Sequence, residues 1–144
     1  MSYKGKYKPQ NPQKYNGDPT RIIYRSLWER KFMKFCDEKK SVLQWGSEEV
    51  VVPYRSPIDN MMHRYYVDFI VTLINKKGMK ETCLIEVKPK KQCKPPEKKS
   101  RVTRRYLNEV KTWGVNSAKW KAASEYAENR GWKFMILTED HLLI

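Results

Sequence analysis

The chain has 144 residues, enough for one domain with a real core and too few for two. Its hydrophobic residues amount to 40% and its longest apolar runs are strand-sized, which excludes a transmembrane helix. The formal net charge of +14 is far more than solubility requires and directs attention to a polyanionic partner.

Residues 1–20 are rich in Lys, Tyr, Pro, Asn and Gln and nearly devoid of aliphatic residues, which predicts a basic extended arm, free or laid on DNA or a partner, rather than a core element. The opening Met1-Ser2-Tyr3-Lys4-Gly5-Lys6 lacks the apolar stretch of a signal peptide, so a cytosolic product is expected. Residues 21–144 are expected to form the single folded domain. Over residues 26–39 the pattern is helical. Trp28, Phe32, Met33, Phe35 and Cys36 share one arc, with Arg30, Lys31, Lys34, Asp37 and Glu38 on the other. Glu29 lies inside the apolar arc, and two roles are open to it. It is an inward-pointing site carboxylate, or it completes an S-x-x-E capping box with Ser26.

Strands are predicted at residues 42–45 and at 49–54, the second ended by Pro53. After a loop through Pro57, Asp59 and Asn60 come two further apolar runs, Tyr65-Tyr66-Val67-Asp68-Phe69-Ile70-Val71 and Cys83-Leu84-Ile85-Glu86-Val87-Lys88. The turn between them contains Asn75-Lys76-Lys77-Gly78. Beyond Lys88, Pro89, Pro95 and Pro96 forbid a helix until about residue 98. Two helices are then expected, at residues 100–113 and 116–130, the second stopping at Gly131. A buried strand at residues 132–137 follows. The order implies an α/β (α+β) fold, a central mixed sheet flanked by helices.

Counting along the hairpin gives a candidate site. A loop Lys76-Lys77-Gly78, with glycine at the left-handed position, pairs Asn75 with Met79 and sets the sum of paired positions at 154, a sum that Asp68 and Glu86 share. The two carboxylates are then expected directly opposite one another. The two-residue strand period places Lys88 on the face of Glu86. Like charges opposed on apolar strands call for a compensating cation, and a hard divalent ion held by Asp68, Glu86 and the Val87 carbonyl meets that need. The plainer alternative is a structural salt bridge of either acid with Lys88 or an arginine.

Basic residues crowd the stretch that follows. Lys88, Lys90, Lys91, Lys94, Lys98, Lys99, Arg101, Arg104 and Arg105 are opposed by Glu97 alone, so this stretch carries much of the chain's excess charge. It reads as a nucleic-acid interface contiguous with the site, and no exposed amphipathic helix accompanies it to favour a membrane. The cysteines Cys36, Cys83 and Cys93 are odd in number and lack C-x-x-C spacing, so no disulfide or zinc framework is expected and reduced thiols are. His63 and His141 have no second ligand nearby, and no phosphate-cradling glycine loop occurs.

Glu29, Asp68 and Glu86-Val87-Lys88 together resemble the PD-(D/E)xK nuclease superfamily, with Val67-Asp68 in place of the Pro-Asp of its name. Arg25-Ser26-Leu27-Trp28-Glu29, Gln44-Trp45-Gly46-Ser47-Glu48-Glu49 and Arg130-Gly131-Trp132-Lys133-Phe134 resemble its TnsA-type branch. The whole chain with its tyrosine-rich arm is similar to the head completion nucleases of contractile-tailed bacteriophages. The resemblance implies a restriction-endonuclease-like core and a DNA endonuclease that leaves 5′-phosphate and 3′-hydroxyl ends. It further implies Mg²⁺ (Mn²⁺ substituting) on Asp68, Glu86 and the Val87 carbonyl, with Glu29 as a further ligand or acting through a water. Lys88 is implied to position or deprotonate the attacking water. Implied too are phage head or neck proteins as partners, the host cytoplasm or virion head as location, and no membrane or organic cofactor. A structural DNA-binding virion protein, or a transposase or repair subunit, is the alternative.

Overall fold

The computed structural model describes residues 4–142. In chain order its elements are β1 (Gly5–Lys6), β2 (Ile23–Tyr24), α1 (Leu27–Glu38), β3 (Val42–Ser47), β4 (Val51–Arg55), β5 (Met62–Tyr66), β6 (Phe69–Ile74), β7 (Lys80–Val87), α2 (Arg104–Asn129), β8 (Lys133–Leu137) and α3 (Glu139–Leu142). The central sheet runs β3-β6-β7-β8, antiparallel except for the parallel β7–β8 pair. Its two central strands read as continuous apolar runs because both faces are covered. Phe69, Val71, Cys83 and Ile85 pack with Phe32, Met33 and Cys36 of α1. Ile70 and Leu84, on the opposite face, pack with Ala123 and Ala127 of α2 and with Val52, Tyr54 and Tyr65 of the separate β4–β5 pair. This is the mixed sheet flanked by helices that the element order implied.

The hairpin register is as counted: Ile74 pairs with Lys80 and Phe69 with Ile85, and Gly78 turns with φ of +75°. The run at residues 65–71 is nonetheless not one strand. Tyr65 and Tyr66 belong to β5, which pairs with β4, and the chain bends at Asp68 before entering the central sheet. The bend is held by backbone bonds from Val67 N–H to the Val50 carbonyl and from Glu48 N–H to the Asp68 carbonyl, both 3.1 Å.

Other expectations need correction. Residues 104–129 form one helix, not two; Gly114 interrupts no hydrogen-bonding requirement and only lowers propensity, while packing along α2 sustains the helix. Its cap is Thr103, whose hydroxyl accepts from Tyr106 N–H at 3.1 Å. Strand β4 runs through Pro53, which pairs with Arg64, and ends at Arg55; with only one partner strand, β4 is an edge where a missing donor is tolerated. Strand β8 is an edge strand with Met135 43% exposed, rather than buried. The arm is not excluded from the core: Tyr7 and Tyr15 are buried, edge-on to Trp45, and β1 pairs with β2. Met1, Ser2 and Tyr3 lie outside the described residues. Cys36 and Cys83 are buried and all three cysteines are free thiols.

Candidate active site

The site forms where β7 leaves the sheet and the bend before β6 meets it. The ladder stops one pair short of Asp68 and Glu86. Asp68 therefore turns its Oδ2 to accept the Val87 N–H at 2.8 Å, which fixes its carboxylate against the end of β7. Glu86, the last inward-facing position of β7, is 5% exposed. Its Oε1 accepts from the Tyr65 hydroxyl at 2.9 Å, and its Oε2 lies 3.7 Å from Lys88 Nζ. The Lys88 backbone is tied to the β8 edge by its N–H to the Leu137 carbonyl, 2.9 Å. The predicted trio Asp68, Glu86 and Lys88 is thus gathered at one point.

Glu29 stands behind them at the start of α1. Its backbone N–H is capped by Ser26 Oγ at 3.1 Å, while its Oε1 accepts from Arg25 N–H at 3.3 Å, one residue before the N-cap that an ordinary capping box would serve. The reciprocal bond of a capping box to the Ser26 amide is thus replaced by one to Arg25, and the Glu29 carboxylate also lies within electrostatic reach of Glu86. Burial, with the negative charges of Glu48 and Glu86, outweighs the Arg25 interactions and raises its carboxyl above the usual range. Among the described residues no three His, Cys, Asp or Glu side chains are gathered closely enough to hold a metal together.

Burial and the neighbouring Glu86 charge push the Asp68 carboxyl well above the usual carboxylate range, and the Val87 N–H offsets only part of that. Two carboxylates sharing a low-dielectric corner resist simultaneous ionisation. Oxygen donors from two carboxylates and the adjoining Val87 carbonyl fit a hard divalent cation, which would relieve that repulsion.

Tyr65 is the site residue that sequence reasoning missed. Its burial, then the charges of Glu86 and Asp68, hold the phenol well above its ordinary value, so it remains a proton donor to Glu86. Lys119 Nζ lies over the rings of Tyr54 and Tyr65, 5.8 and 5.5 Å from the centroids. The only trace in the sequence was its place three residues before Asp68, and that was obscured by reading both as one strand.

The basic residues proposed for nucleic acid lie on the segment leaving the site and on the first turn of α2. Lys90 is committed to α3, its N–H to Glu139 Oε1 at 2.6 Å and its Nζ to Asp140 at 3.0 Å. Arg105 lies 3.4 Å from Glu109. Lys91, Lys94, Lys98, Lys99, Arg101 and Arg104 are exposed. His63 lies in β5, opposite Tyr54, rather than in a loop, and pairs with Asp59 at 2.8 Å on the exposed surface.

A central mixed sheet flanked by helices, with two buried carboxylates and a lysine at the end of one hairpin beside a basic segment, is the architecture of a restriction-endonuclease-like protein. Sequence comparison agrees: the family model described as TnsA-like endonuclease N terminal matches residues 39–139. The head completion nuclease of Enterobacteria phage T4 is 44% identical over 146 residues, covering 99% of this chain and 95% of that protein. No solved structure matches significantly. The chain belongs to the TnsA-like endonuclease family and is an endodeoxyribonuclease.

Proposed function

We propose that this endonuclease hydrolyses phosphodiester bonds of packaged or terminal DNA during completion of a phage head, and that Asp68, Glu86 and Lys88 carry the reaction with Mg²⁺, for which Mn²⁺ substitutes. The observation that carries the assignment is the buried Asp68–Glu86 pair with Lys88 Nζ 3.7 Å from Glu86 Oε2. Asp68, Glu86 and the Val87 carbonyl would hold the ion. When bound, it supplies Lewis-acid polarisation of the scissile phosphate and charge stabilisation at the leaving oxygen.

The chain's own residues prepare that chemistry. Tyr65 holds Glu86 Oε1, so Oε2 is the oxygen turned toward Lys88. The Val87 N–H fixes Asp68 Oδ2 and orients the carboxylate without a mobile loop. Lys88, three-quarters buried along its side chain and anchored through its backbone to Leu137, holds an ammonium where negative charge develops on the attacked phosphate. Glu29 acts at one remove, its charge bearing on Glu86 and Asp68. Head or neck proteins are the proposed partners, and the host cytoplasm or the virion head the place of action, by extension from the phage relative.

The test is cleavage of duplex DNA with Mg²⁺ and with EDTA. Asp68→Ala, Glu86→Ala and Lys88→Ala are expected to abolish cutting while DNA binding survives, and Tyr65→Phe to lower it about 10- to 100-fold, as loss of a group that orients a metal ligand does. Undiminished cutting by all three alanine variants would remove the assigned site.

A further inference from the structure

Beside the catalytic corner lies a cavity of about 820 Å³ between the segment after Lys88 and the first half of α2. That size is within the roughly 300–1,000 Å³ range of sites that enclose a small ligand. Its rim is cationic: Lys91, Lys94, Arg104 and Arg105 line it, and the one carboxylate there, Glu109, lies 3.4 Å from Arg105. Its wall is different in chemistry. Trp113, Asn108 and Asn116 line it from α2. Trp113 is braced edge-on against Trp120, ring centroids 5.9 Å apart at 80°, so its plane is set in advance. Asn116 is 9% exposed, and its side-chain amide, which makes no hydrogen bond to the other described residues, is open to the cavity.

We propose that this cavity receives one unpaired nucleotide of the DNA substrate. The cations take the phosphate, the Trp113 indole stacks on the base, and the amides of Asn108 and Asn116 meet the hydrogen-bonding edge that pairing would otherwise occupy. A paired base keeps its faces inside the stack and its edge on its partner, and offers neither to the cavity. Lys91 and Gln92 line the cavity, so it opens on the segment that leaves the catalytic corner after Lys88. The chain is thereby assigned a structural preference for DNA with a single-stranded end, bulge or extruded base. The inference rests on the basic segment meeting DNA, not on the metal chemistry.

Binding to two duplexes of one sequence tests it, one fully paired and one carrying an unpaired 2-aminopurine bulge, with the full chain in EDTA so that nothing is cut. The expected result is about ten-fold tighter binding of the bulged duplex, with quenching of the 2-aminopurine by Trp113. Trp113→Ala and Asn116→Ser are expected to erase that preference and the quenching while leaving affinity for the paired duplex in place. Asn108→Ala, an exposed change that leaves the fold intact, is expected to narrow the preference and keeps the test valid if Trp113→Ala does not fold. Equal affinity of the native chain for the two duplexes, or an unchanged ratio in every variant, overturns the pocket alone. Failure to bind either duplex overturns the DNA-binding assignment of the basic segment together with it.

Discussion

Asp68, the carboxylate proposed as a metal ligand, is held in a corner that disfavours its own charge. Its carboxyl sits well above the usual range because it is buried and faces Glu86. A carboxyl raised in the fold favours folding while it is protonated, and that contribution is lost as pH rises from the ordinary carboxylate value through the raised one. In EDTA the native chain should therefore lose stability as pH rises above about 4 in a way that Asp68→Asn does not, since the amide keeps an acceptor for the Val87 N–H without acquiring charge. Thermal melts should place Asp68→Asn a few degrees above the native chain in mildly alkaline buffer and level with it in acid. A variant that melts lower under both conditions would show that the carboxylate is structural.

At the scale of elements, the arm and α2 depart most from local expectation. Asp37 falls on the polar arc of α1, yet it is fully buried, because the arm folds over it and supplies donors: Tyr7 hydroxyl at 2.8 Å, Gln10 N–H at 2.7 Å and Asn11 N–H at 2.9 Å. Phe35, on the apolar arc, is 50% exposed and stacks on Phe32. Neither outcome follows from helical periodicity, since both depend on which surfaces the first residues of the chain cover. In α2, Gly114 sits in the interior of a helix whose conformation any residue accepts, and a β-carbon there would meet only Pro57 Cγ, at an ordinary 3.6 Å. Gly114→Ala is expected to stabilise the protein by about 0.5–1 kcal/mol by removing backbone freedom from the unfolded chain. Chemical denaturation would measure it, and a loss of stability would mean the helix bends at that position.

For the molecule as a whole, charge is the property that sets how it meets its substrate. The exposed lysines and arginines after Lys88 are expected to displace counterions from DNA, so binding should weaken steeply with salt. Replacing Lys98 and Lys99 together by glutamine should reduce the slope of log K against log salt by about 1 for each phosphate no longer neutralised. An unchanged slope would place the DNA path elsewhere. Lys90 is not expected to contribute equally, since its ammonium is already 3.0 Å from Asp140.

Much of the site is legible in the amino-acid sequence, because it depends on short-range regularities. Hairpin pairing is arithmetic once Gly78 sets the turn, and the strand period carries Lys88 to the side of Glu86, so Asp68, Glu86 and Lys88 could be placed together from the residues alone. The α1 start was legible for the same reason, through Ser26 and Glu29. Tertiary structure alone decided that the chain breaks at Asp68, because the break is made by Val50 and Glu48 from another part of the chain. It also decided that Tyr65 reaches Glu86 from a separate sheet, that Tyr7 and Tyr15 complete the core, and that Trp113 and Asn116 line a cavity. Periodicity reports which residues share a face of one element; which elements then touch depends on packing between segments far apart in sequence, and no local pattern encodes it.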